Sequence, residues 1–270
     1  MPAIQLERLR GQVAQVGDLF LQPAELVSRM QDLFEFYADR TRRSGQVGSR
    51  VPLLPHQNIP LPVLRELNQE LRKRAGQVTT ADALRVADAL WAAGSYEMRL
   101  LSAGLLSAAA GSPAEISSRL ESWSAQTREK SIIATLLESG HAALERSSPG
   151  AWLGLTRRWL EDGRPEVKAA GLEAAGLMVQ EAGYENYPLI FSLLAPIFQS
   201  PPPTLQSSLA SLIRILAERS PNETIVFLRH ALVTSPDRSI TRLVRRCLPL
   251  FGAKDQQMLR EALAARLAYE

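Results

Sequence analysis

Aromatic residues are scarce in this 270-residue chain, at 6%, so any core has to be filled by close-packed aliphatic side chains. There is one cysteine, Cys247, which excludes an internal disulfide and fits a reducing compartment, so the expected location is the cytoplasm. No run of about 18 apolar residues is free of charge, and a membrane-crossing helix is therefore not expected. Near the start, Glu7, Arg8 and Arg10 interrupt any hydrophobic segment, so no signal peptide is expected either. Alternating apolar and polar runs of the kind that make strands are missing. Charge is modest, with 22% charged residues, a net charge of +3 and a pI of about 9.2. That balance admits nucleic acid as a partner without requiring it. His56, His141 and His230 share no spacing with one another or with Cys247, so neither a metal site nor a cofactor is expected.

What the chain does have is 46% hydrophobic residues, dominated by Ala and Leu, enough for a continuous core of packed helices. One stretch organises the rest. Trp159-Leu160-Glu161-Asp162-Gly163 reads as the end of a helix and a break. Arg164-Pro165-Glu166-Val167-Lys168 reads as the start of the next, with proline at an early helical position where its missing N–H costs nothing. The following run to Met178 is almost all Ala, Gly and Leu, so other helices can approach it closely. The pattern recurs: Trp91, Gly94 and Glu97-Met98-Arg99 echo Trp159, Gly163 and Glu166-Val167-Lys168 with one residue of slippage.

Second helices of successive pairs start near residues 63, 97, 129, 166, 204 and 239, a spacing of roughly 32 to 38 residues that suits helix-pair solenoids. Pro113, Pro149, Pro188 and Pro221 introduce first helices, and Thr80 and Ser95 read as N-caps. The expected fold is all-α, a curved α-solenoid of about six HEAT-like helix pairs. It would form a single repeat domain over 1–270. Residues 1–60 hold N-terminal helices and a basic loop, 61–252 the helix-pair repeats, and 253–270 a capping helix.

Several side chains admit two readings. The loop from about Arg42 to Pro60, introduced by Arg40, Arg42 and Arg43 and carrying Arg50, is either a solvated loop or a phosphate-contacting one. Arg99 and Lys168 hold the same place in their repeats. Each either pairs with an acid in the turn, Asp162 in the case of Lys168, to make a ladder, or contacts phosphate near a helix N-terminus. Trp123 either stacks on a base or fills a gap between repeats, whereas Trp91, Trp152 and Trp159 read as core. Cys247 reads as a small buried apolar residue. Arg238, Arg242, Arg245 and Arg246, with Arg229 upstream, form the densest positive cluster. It suits a nucleic-acid backbone, a solvated face or an acidic protein partner. Arg128 and Lys130 add positive charge near the helix start at Thr127.

The chain resembles the HEAT-like-repeat DNA alkylation repair family, whose members include alkylpurine DNA glycosylases. The likeness is carried by Asn58-Ile59-Pro60-Leu61-Pro62-Val63-Leu64-Arg65, Ala87-Asp88-Ala89-Leu90-Trp91, Glu97-Met98-Arg99-Leu100-Leu101-Ser102-Ala103 and Ser122-Trp123. The Trp159-to-Lys168 block and Ser239-Ile240-Thr241-Arg242 complete it, and coverage is roughly residues 25–252. The resemblance implies a basic concave surface that grips the backbone of duplex DNA, with contacts expected from Arg99, Arg128, Lys130, Lys168, Arg242, Arg245 and Arg246. It also implies a Trp and an Asp four residues later that stabilise the cationic sugar formed as an alkylated base departs, assisted by an Arg of the next repeat. The Trp falls on Trp123, but the Asp falls on Thr127, which carries no charge. The Arg falls on Lys168, which lacks the bidentate fork, and a further aromatic falls on or near Arg246.

Trp123 and Lys168 are thus the catalytic candidates, and the chemistry is expected to be weak or lost. The partner expected is duplex DNA, with an acidic protein as a lesser alternative, no membrane, and a monomeric chain. The alternatives are a protein-interaction scaffold and an active glycosylase that uses a different acid.

Overall fold

The computed structural model describes residues 5–39, 53–109, 111–148 and 150–269. The basic stretch carrying Arg40, Arg42, Arg43 and Arg50 lies outside the described residues. All the regular structure among the described residues is helical, with no strand. The chain divides into two compact units, Met1–Ala151 and Trp152–Glu270.

In the first unit, α1 (Leu6–Asp18) and α2 (Pro23–Tyr37) are followed by α3 (Leu61–Ala75), α4 (Thr80–Ala92) and α5 (Tyr96–Leu105). Then come α6 (Pro113–Ala125) and α7 (Lys130–Ser147). α1, α3, α5 and α7 pack on one another in succession, while α2 packs on α4, α4 on α5 and α6 on α7. Helix starts follow local chemistry. Ser95 accepts the Met98 N–H at 3.3 Å, and Ser112 forms a reciprocal box with Glu115, each side chain taking the other's backbone N–H. Thr79, not Thr80, caps α4: its hydroxyl accepts the Asp82 N–H at 3.2 Å, and Thr80 is the first helical residue. The reason is spacing, since Asp82 stands three residues after Thr79 and completes the cap from the first turn. Leu84, Leu90, Met98, Leu105 and Leu120 are buried at this unit's centre.

The second unit begins in α8 (Ala151–Glu161) and continues through α9 (Pro165–Gln180), α10 (Tyr187–Gln199) and α11 (Gln206–Arg219). It ends with α12 (Pro221–Thr234), α13 (Ser239–Cys247) and α14 (Ala253–Tyr269). One layer runs α9–α11–α13 and a second α10–α12–α14, with α11 on α12 joining them. Proline opens α9 and α12 at the first helical position, where no hydrogen bond is lost. Trp152 is fully buried and donates its indole N–H to the Ala174 carbonyl at 3.2 Å, edge-on to Trp159. α8 and α9 approach closely because Gly171 has no side chain: a Cβ there would stand 3.0 Å from the Leu160 backbone nitrogen.

Candidate nucleic-acid interface

In the first unit the turns α4–α5 and α6–α7 gather Trp123, Arg99, Arg128 and Lys130. Trp123, near the end of α6, lies flat against Trp91 of α4, with ring centroids 4.6 Å apart and planes 4° from parallel. The two rings are 5% and 4% exposed, so the stack belongs to the core of the unit. Arg99 of α5 places its guanidinium carbon 4.7 Å from the Trp91 ring centroid and donates from Nη1 to the Gln126 carbonyl at 3.0 Å. Gln126 also accepts the Trp91 indole N–H at 2.8 Å. Arg99, Trp91, Trp123 and Gln126 therefore form one cluster, in which the cation faces a π-system. No carboxylate among the described residues pairs with Arg99, and its Nε is buried without a partner.

Two carboxylates nearby hold the segment before α3. Glu97, 2% exposed, accepts the Gln57 N–H on Oε1 at 2.9 Å, while its Oε2 has no partner among the described residues. Glu129 accepts the Leu53 N–H, and the Tyr96 N–H reaches the Pro55 carbonyl at 2.9 Å. Asn58 completes the bend with φ 54°. Thr127, at the position where the resemblance expects a carboxylate, is buried and accepts the Glu129 N–H at 3.2 Å. Its hydroxyl serves the turn. Arg128 and Lys130 flank that turn, both exposed and at the positive end of the α7 dipole, where added cations raise the local potential.

In the second unit, Lys168 is half-buried on the first turn of α9. Asp162, its expected ladder partner, hydrogen-bonds Arg164 two residues away and feels Lys168 only as a smaller Coulombic effect. Arg164 donates to Asp162 from Nε at 3.0 Å, from Nη2 at 2.9 Å and from its backbone N–H at 2.8 Å. The short link closes on itself because both groups sit in the turn before α9, whereas Lys168 stands inside the helix. The Lys168 side chain makes no hydrogen bond or salt bridge among the described residues, and it acts on Asp162 only as a nearby charge. The Arg164 side chain first, and its N–H second, hold the Asp162 carboxyl at about 2, below the ordinary 3.8.

A depressed carboxyl stabilises the folded turn fully above the unfolded value and loses that effect as pH falls through the folded value. The parent chain is therefore expected to melt above Asp162→Asn at neutral pH. The gap should close between pH 3.8 and about 2, as read from thermal melts across a pH series.

α13 turns three cations to solvent. Arg242, Arg245 and Arg246 are exposed, whereas Ile240, Leu243, Val244 and Cys247 are buried. At i, i+3 and i+4 the three guanidinium stems share one helix face, and no carboxylate among the described residues pairs with them. Burial pushes the Cys247 thiol up to about 12, against a smaller opposing effect of Arg246, so this sulfur is inert.

Elsewhere, arginines close the ends of helices made earlier in the chain. Arg146 of α7 donates to the Ser107 carbonyl, and Arg219 of α11 to the Glu181 carbonyl at 3.0 Å. Arg266 of α14 donates to the carbonyls of Leu232, Ser235 and Asp237. Arg146, Arg219 and Arg266 thus share one kind of contact, a guanidinium on a carbonyl left open at a helix end.

Arg99 and Trp123 thus meet through Trp91, and Arg242, Arg245 and Arg246 share a face. Trp123 and Lys168 fall in different units. Sequence reasoning missed Gln126, which receives the indole N–H and whose carbonyl receives the guanidinium. It also missed Glu97 as a buried acid. The interval from Trp91 to Trp123 equals one repeat, 123 − 91 = 32 residues, and that coincidence was the available signal for the stack. No helix among the described residues is long and apolar enough to cross a membrane. A family model described as DNA alkylation repair enzyme matches residues 54–249. The comparison with curated proteins finds no match.

Proposed function

We propose that this chain, which belongs to the DNA alkylation repair enzyme family, is a HEAT-like repeat protein that grips the sugar-phosphate backbone of duplex DNA and has lost most or all base-excision chemistry. The observation that carries the reading is the exposed face of α13, where Arg242, Arg245 and Arg246 stand together with no carboxylate among the described residues to neutralise them. Such a row suits a line of phosphates and reads no sequence. Arg99, Arg128 and Lys130 in the first unit, and Lys168 in the second, are further cations expected to contact phosphate.

The lost chemistry follows from Thr127. A hydroxyl already accepting a backbone N–H has no negative charge with which to stabilise a cationic sugar. Trp123, packed on Trp91, contributes its ring to the core, and Lys168 provides a point charge without a fork. Glu97 is 2% exposed and engaged with the chain before α3, so it does not replace the missing acid.

Titration of a labelled duplex at about 50 mM and about 200 mM salt tests the binding, with a steep fall in affinity expected between the two. Absence of binding at the lower salt overturns the reading. Incubation with alkylated duplex tests the chemistry, and release of free methylated base at an enzyme's rate would mean an acid other than Thr127's missing one is at work.

A further inference from the structure

The second unit carries a feature that DNA binding does not use. α12 and α14 pack on each other in the α10–α12–α14 layer, and a groove of about 830 Å³ runs between them. On the α12 side stand Val226 and Val233, 65% and 82% exposed. They are seven residues apart, so they lie on one face two turns from each other. On the α14 side stand Ala262 and Ala265, whose methyl groups leave room for another backbone to come close. Arg229 and His230, both exposed, stand between the valines on the same face, and no Asp or Glu is among the described residues that line the groove. Beneath it, Arg266 binds the Leu232 and Ser235 carbonyls at 2.5 and 2.7 Å and the Asp237 carbonyl at 3.0 Å, which fixes the backbone below the groove.

A valine pair this exposed has no value to a phosphate backbone, because nucleic-acid interfaces are polar and strongly charged. It matches an amphipathic helix, whose apolar residues recur at i, i+3 or i+4, and i+7. Helices meet at about 8–10 Å between axes, and small residues such as the two alanines favour the near end of that range. Charge sets the sign of the partner. With Arg229 between the valines and no acid among the described residues that line the groove, a helix with acidic flanks is drawn in and a basic one is repelled.

We propose that the α12–α14 groove docks an acidic amphipathic helix of a partner protein. Arg242, Arg245 and Arg246 ride on the other layer, α9–α11–α13, and none of them lines the groove, so the proposal does not depend on the DNA-binding reading.

Two synthetic peptides of about 16 residues test it. Both carry leucines at i, i+4, i+7 and i+11, one flanked by glutamates and the other by lysines, and binding to the full chain is followed by fluorescence anisotropy. The glutamate peptide is expected to bind with a Kd on the order of 10 μM and the lysine peptide at least about tenfold more weakly. Val226→Asp with Val233→Asp should abolish binding, and Arg229→Glu should shift preference towards the lysine peptide. All three positions are exposed, so the variants keep the fold. Equal binding of both peptides, no binding of the glutamate peptide, or full binding by the valine variant overturns the proposal. So does a dimer that Val233→Asp breaks, since a second copy would then occupy the groove.

Discussion

Replacing Arg242, Arg245 and Arg246 together by glutamate is expected to lower duplex affinity by about a thousandfold at low salt. Each guanidinium that meets a phosphate makes a charge-assisted bond of about 1.5 kcal/mol or more, roughly tenfold in affinity per contact. Each also releases a condensed counterion, contributing about 0.9 to the slope of log affinity against log salt. Three lost contacts therefore take about 3 from that slope, and the new carboxylates add repulsion. The side chains are exposed on α13 and their stems touch no carboxylate among the described residues, so thermal stability should barely change. The corresponding alanine variant isolates the lost contacts from the repulsion. If affinity and salt slope both survive in the glutamate variant, α13 is not part of the interface.

Trp123→Ala is expected to destabilise the first unit by about 3–5 kcal/mol, as deletion of a large buried ring does. The loss has three parts. A cavity opens at the end of α6, the parallel stack on Trp91 disappears, and such a stack is worth about 0.5–1.5 kcal/mol beyond its area. Trp91 then has one face bare, which loosens the ring over which Arg99 sits 4.7 Å away. Urea unfolding measures the effect, and Trp123→Phe, which keeps an aromatic plane, should recover part of it. A Trp123→Ala chain with unaltered stability but weaker duplex binding would mean the ring faces the ligand after all.

The helices were largely legible because their signals are local. Pro23, Pro113, Pro165 and Pro221 open helices, and Ser95 caps one, each acting within a turn of its own position. Thr79 displaced Thr80 by a single residue because adjacent threonines offer the same hydroxyl, and only the distance to Asp82 separates them. Burial of Trp91, Trp152 and Trp159 was legible from apolar helical stripes. What could not be read was which groups meet across a repeat. Asp162 was matched with Lys168 on repeat geometry, but a guanidinium two residues away reaches it first. Trp123 looked equally suited to a base or to a gap, because its partner lies 32 residues earlier. The exposed valines of α12 look like ordinary helix residues until α14 is placed beside them. Thr127 was the exception: its chemistry was plain from its identity alone.

Arginines on α7, α11 and α14 satisfy carbonyls that precede them by 29 to 39 residues. A ribosome delivers the carbonyl first and its donor on the order of seconds later. Until then the finished helix end is closed by water. The turn between α12 and α13 is the clearest case, since its three carbonyls wait for one guanidinium on α14. At these three places a helix end is therefore completed only after a later helix has been synthesised. A chain halted before Arg266 would leave the ribosome with that turn still open.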